Sequence, residues 1–206
     1  MNNLRSRGLL RSGTSTLILA MLLTACFDGI TSRKWTEDVL LDDGSILLVK
    51  RTVSFKESAA WGGEAYNSWE TDATISFTGG LATLPIWHVP LMALVMYLDS
   101  TTREWVVVAT TTSCDVWNAR GFPPSMYWEY RLGPQGWRET PLSAKSMGRP
   151  ANLLHRYQKS LGTSHFTVAE RVKRETDSSM SKKYRRIDPT GSVCSLTVEN
   201  KRKAGL

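Results

Sequence analysis

The residues with the most chemistry to offer in this 206-residue chain are three histidines, three cysteines and eight tryptophans. His88, His155 and His165 lack metal-ligand spacing, and no C-x-x-C occurs, so neither a zinc ribbon nor a redox motif is supported. His88 lies in Leu84-Pro-Ile-Trp-His-Val-Pro90, between two prolines. There it is either a general base at a pocket rim or a structural residue of a rigid turn. The sequence contains no G-x-S-x-G elbow, P-loop, H-E-x-x-H or EF-hand loop. No cofactor or metal is therefore expected. Glu37, Asp38, Asp42 and Asp43 cluster in sequence, but a hard cation needs several converging oxygens. Turn chemistry accounts for Asp42 and Asp43.

Tryptophan is the compositional excess, and all eight precede residue 145. Exposed aromatic rings stack on sugars or grip peptide segments, whereas most tryptophans of a small sheet fill its core. Trp61 and Trp69 stand out because they fall in a Gly-containing stretch, residues 56–70, that reads as a loop. With His88 they are the candidate ligand contacts.

The elements that must position these residues read as strands first. Residues 35–41 and 45–55 flank Asp42-Asp43-Gly44, a hairpin signal. In the second run Leu47, Val49, Arg51, Val53 and Phe55 share one face, and Leu48, Lys50, Thr52 and Ser54 the other. Residues 72–78 form a further strand. The apolar run 91–98 and the β-branched run 104–112 form a central hairpin. Residues 126–132 alternate and turn at Gly133-Pro-Gln-Gly136 into residues 137–142, where Pro141 marks an edge strand or a departure from the sheet. Helices are expected only within residues 145–180. One opens at Pro150, and another runs from the capping box Thr167-Val-Ala-Glu170 to about Asp177. A last strand is expected at residues 192–198, before the basic tail 201–206. The fold class is thus mainly β, an antiparallel sheet of sandwich-like or partial-barrel-like form, with one or two short helices near the C-terminus.

Hydrophobic residues are 41% and charged residues 22%, globular values that exclude wholesale disorder. The charge is uneven. Residues 26–144 hold 9 basic and 14 acidic side chains, whereas residues 145–206 hold 14 basic and 5 acidic. Such an asymmetry marks a basic face or an ordinary solvated surface.

The first residues are an address. Arg5, Arg7 and Arg11 precede any acidic residue, and an apolar run, TSTLILAMLLTA, leads to Cys26. A basic start, a short apolar core and small residues before a break make a secretory signal peptide. Its end, Leu23-Thr24-Ala25-Cys26, resembles the lipobox of bacterial lipoproteins. The resemblance covers about an eighth of the chain. It implies that residues 1–25 are removed, that the Cys26 sulfur receives a diacylglycerol, and that the new amine is acylated with a chain such as palmitate. Several chains hold a protein on a membrane essentially permanently. The resemblance also implies that Phe27, in place of an aspartate after the cysteine, favours the outer membrane, facing the periplasm, over retention at the inner one. Residues 26–34 then form a lipidated tether to one domain, residues 35–200.

With lipid on Cys26, an even pair remains, Cys114 and Cys194. In an oxidising compartment it reads as one disulfide, the alternative being two buried free thiols. In that setting anionic headgroups, envelope proteins and glycans are available partners, and nucleic acid is not. The expectation is a membrane-anchored, exported lipoprotein acting as a non-catalytic binding or structural module of the envelope. The alternative is an exported hydrolase or transferase with its site near His88.

Overall fold

The computed structural model describes residues 29–59, 66–111, 113–121, 123–155, 164–177 and 184–190. Among these residues nine strands build two sheets. The first sheet contains β1 (Gly29–Leu40), β2 (Ile46–Ala59), β3 (Tyr66–Phe77), β4 (Trp87–Val89) and β9 (His165–Phe166), in the order β4-β3-β2-β1-β9. The second contains β5 (Met92–Leu98), β6 (Trp105–Thr110), β7 (Tyr127–Gly133) and β8 (Gly136–Thr140), in chain order. All pairings are antiparallel except β1 with β9. The expected mainly-β class is the one observed.

Alternation decides which faces meet. Trp35, Val39, Val49, Val53, Ala73, Ile75 and Trp87 point inward from the first sheet. Ala93, Met96, Val107, Ala109, Trp128 and Tyr130 meet them from the second, so the sheets share one core as a sandwich. Phe77 joins the halves: its ring lies edge-on to Trp105 at 5.3 Å and stacks on Trp137 at 6.5 Å. Most of the tryptophans whose side chains are described are thus packed in or against the core.

The run in β5 is continuously apolar because the strand is buried on both faces. A bulge between Ala93 and Val95 puts Leu94 and Val95 on the same side, with Tyr97, Val106 and Val108. Tyr184 and Ile187, from the C-terminal segment, cover that outer face. The segment is clipped on by reciprocal backbone bonds, Gly148 N–H to Ile187 C=O and Ile187 N–H to Arg149 C=O, each at 2.9 Å.

Asn152 fastens the sandwich. Its side-chain oxygen accepts the Met96 N–H at 2.8 Å, and its amide nitrogen donates to Met96 C=O at 2.7 Å and to Leu40 C=O at 3.0 Å. One carboxamide thereby imitates a strand beside β5 and reaches the end of β1.

Several expectations need correction. Residues 29–34, assigned to the tether, form the first half of β1 opposite β2. Most of the 56–70 stretch, read as a loop, is strand: β2 continues to Ala59 and β3 starts at Tyr66. A short helix, α1 (Cys114–Ala119), lies well before residue 145. No helix starts at Pro150, which is in a β-bridge with Arg186, and residues 151–155 are irregular. The backbone groups of that stretch are spent on other elements: Asn152 and Leu153 N–H both donate to Leu94 C=O. The second expected helix is found as α2 (Val168–Asp177). Thr167 Oγ1 accepts the Glu170 N–H at 3.3 Å while Glu170 Oε2 accepts the Thr167 N–H at 2.9 Å, the reciprocal capping expected of that motif. The expected strand at 192–198 lies outside the described residues.

Candidate functional site

The most chemically distinctive concavity is a cleft of about 410 Å³ at a junction of both sheets and α2. Leu40 and Asp42 enter it from the end of the β1–β2 hairpin, Val95 from β5, and Val172 from α2. Junctions of this kind, at roughly 300–1,000 Å³, are common ligand sites. Asn152 holds the hairpin end against the segment containing Arg149 and Ala151, which sets the cleft's shape.

Three arginines, Arg149, Arg171 and Arg185, are among its lining residues, with one acidic residue, Asp42. Arg149 Nη1 lies 2.8 Å from both Asp42 oxygens, and its guanidinium stands 3.8 Å over the Tyr97 ring. Arg171 is buried, and its Nη1 donates to Ala151 C=O at 3.0 Å. Arg185 comes from the C-terminal segment, where its carbonyl accepts the Ala151 N–H at 2.8 Å. Guanidinium donors are rigid forks that match phosphate and carboxylate groups. The cleft therefore combines an apolar lining with a cluster of arginines, of which Arg149 is held by Asp42 and Arg171 by a backbone carbonyl. A second cleft, of about 600 Å³, lies beside the C-terminal end of β8. Pro123, Pro124, Trp128, Pro141 and Met147 line it, and its charged lining residue, Glu139, is held by Arg120 at 2.9 Å and by the Tyr130 hydroxyl at 2.7 Å.

The other charged clusters are accounted for within the fold. Glu37 and Arg51 form a buried ion pair on the inner face of the first sheet. Glu129 is buried on the outer face of the second sheet. It accepts from Ser143 and Ser146 hydroxyls at 2.7 Å and from Arg131 Nε at 2.6 Å. Burial opposes its charge, but these donors hold its carboxyl below the ordinary range. Lys145, with Arg131 and backbone donors, holds Asp99 well below its ordinary range. Glu70 is different: its Oε2 is sealed from solvent with no hydrogen-bond partner among the described residues. Burial pushes its carboxyl up to about 7, against the pull of the Arg51 guanidinium.

The candidate contacts from sequence do not come together. His88 is exposed on β4, and its Nε2 lies 2.7 Å from Asp72 Oδ1. Among the described residues no serine, threonine or cysteine side chain is hydrogen-bonded to it. Trp61 lies outside the described residues, and Trp69 is a residue of β3 opposite Lys56. Cys114 opens α1 and is disulfide-bonded. Cys194 and Cys26 both lie outside the described residues. The carboxylate cluster disperses: Glu37 pairs with Arg51, Asp42 with Arg149, Asp43 with Ser45, and Asp38 stands 3.7 Å from His165. No three His, Cys, Asp or Glu side chains converge as a metal site among the described residues. Sequence reasoning missed the three cleft arginines individually. The signal that pointed their way was the basic excess after residue 144.

The chain matches no protein-family model, no curated protein and no solved structure.

Proposed function

We propose that this protein is a lipoprotein of the bacterial envelope, anchored through lipid on Cys26, and that its β-sandwich is a non-catalytic binding or structural module. The observation that carries this reading is the segment Leu23-Thr24-Ala25-Cys26 at the end of an Arg-led apolar run. The disulfide at Cys114 supports an oxidising compartment. With Cys26 lipidated, Cys194 becomes its partner, and Phe27 after the lipidated cysteine favours the outer membrane, facing the periplasm, as the location. Mass spectrometry of the N-terminal peptide is the test. A triacylated Cys26 start supports the reading, whereas an unmodified Met1 or a cut elsewhere overturns it. Cys26→Ser should release the protein from the membrane or leave an uncleaved precursor.

The exported-hydrolase reading rests on the His88–Asp72 pair, a base and the group that orients it. His88→Ala should then abolish any hydrolysis of envelope esters or amides by the purified protein. Unchanged hydrolysis would remove His88 from consideration.

A further inference from the structure

We propose that the outer face of the β1–β2 hairpin lies on the membrane and that the cleft at its Leu40 end takes the headgroup of an anionic phospholipid. This rests on the lipoprotein reading and names the partner of that module. The first observation is the cleft itself. Arg149, Arg171 and Arg185 converge on one concavity, while Leu40, Val95 and Val172 supply apolar lining. An anionic amphiphile needs both, donors for its phosphate and an apolar wall for the start of its chains.

The second observation is what surrounds the cleft. Leu40 pairs across the hairpin with Ile46, and Leu48 is their diagonal neighbour on the same face. Leu40, Ile46, Leu48 and Val172 are all exposed, at 44%, 61%, 39% and 49%. Aliphatic side chains gathered this way mark an interaction surface, where scattered single ones would not. Farther along the same face stand exposed Lys34, Lys50 and Ile30. Asp38, the acidic residue of that face, is turned toward His165.

The third observation fixes the orientation. Cys26 precedes Gly29, the first residue of β1, by three residues, and the cleft lies at the other end of that strand. Twelve residues span about 36 Å at roughly 3.3 Å per residue. A sandwich standing upright on its anchor would carry the cleft out of reach of the bilayer. Lying on the β1–β2 face, it brings the anchor, both lysines, the aliphatic patch and the cleft to one surface. Basic groups near an anionic leaflet are attracted to it.

The test uses the mature lipidated protein in phosphatidylcholine vesicles, with and without phosphatidylglycerol. The anchor holds the protein on both, so a difference reads the sandwich's own contact. Amide exchange at residues 41–45 and 149–152 should slow only with phosphatidylglycerol, by about tenfold once the lipid exceeds its dissociation constant tenfold. Arg185→Gln and Leu48→Glu should each abolish most of that slowing. Leu48 is exposed, so its variant keeps the test valid if Arg185→Gln fails to fold. Equal exchange on both vesicles overturns the proposal. Equal slowing by soluble glycerol phosphate also overturns it, leaving a site for free phosphate esters. Failure of lipidation appears separately, as absence of protein from phosphatidylcholine vesicles. Flotation of the full chain with phosphatidylglycerol vesicles alone would then still support the surface.

Discussion

Glu37 and Arg51 sit diagonally across β1 and β2 and together grip one peptide unit of a distant segment. Glu37 Oε1 accepts from Arg51 Nη1 at 2.9 Å. Its Oε2 accepts the Leu154 N–H at 2.7 Å, and the same Arg51 nitrogen donates to the Leu154 carbonyl at 2.6 Å. Trp35 caps the guanidinium, 5.1 Å from its ring centre. Both charges are buried, so each depends on the other and on Leu154 for its polar partners.

Removing one partner leaves the other charge stranded. Glu37→Ala should cost about 3–5 kcal/mol in urea unfolding. Arg51→Met should cost a similar amount, and the double variant clearly less than the sum. Additive losses would show that the two side chains act independently.

Glu70 predicts a slope in stability with pH. Its folded-state carboxyl titrates at about 7, above its ordinary 4.5, so the folded state holds the proton more tightly. Its contribution is greatest below 4.5, falls as pH rises toward about 7, and is level above that. Urea midpoints measured across this window should decline in the wild type, and Glu70→Gln should flatten that decline. An identical slope in the variant would place the titration elsewhere.

The disulfide at Cys114 predicts a thiol count. If Cys194 is its partner and Cys26 carries lipid, the mature protein denatured without reductant should show no free thiol. Cys114→Ser should then reveal one. The closed loop of about 80 residues is worth ~4–5 kcal/mol in the chain-entropy model, less any native strain. Two free thiols in the wild type would end the pairing.

The capping box of α2 predicts a local effect. Thr167→Ala should destabilise by about 1 kcal/mol and raise amide exchange in the first turn of α2. Exchange that is unchanged there would mean that packing alone holds the helix.

Where the sequence was legible, one element explained itself. The Asp-Gly turn and the period-2 pattern of residues 45–55 needed no partner to be read, nor did the Thr167–Glu170 box. Pro141, which lacks an N–H, directly follows the last residue of β8, and β8 is an edge strand. The misreadings have a common cause: burial or pairing supplied by remote residues. α1 is only six residues long, too short to show a helical period. The stretch after Pro150 has helix-like punctuation, but β5 and the C-terminal segment claim its backbone. Residues 56–59 and 66–70 look loop-like until each is seen as the other's ladder partner. The same holds for the candidate cleft. Its arginines are spread over 36 positions, and only the register of α2, Asn152 and the C-terminal clip makes them neighbours.

The Asn152 fastening bears on how the chain can fail. Asn152 lies 112 residues after Leu40 and 56 after Met96. A chain still emerging, with every strand through β8 already available, would not yet contain the side chain that closes the β5 edge. Until it arrives, Leu94 and Met96 offer open backbone donors and acceptors on one of the most apolar strands of the molecule. An open edge of that kind recruits whatever extended chain is nearest. The interval between β8 and residue 152 is thus the period of greatest exposure to misassembly, when a holding chaperone would matter most and a truncated product would aggregate.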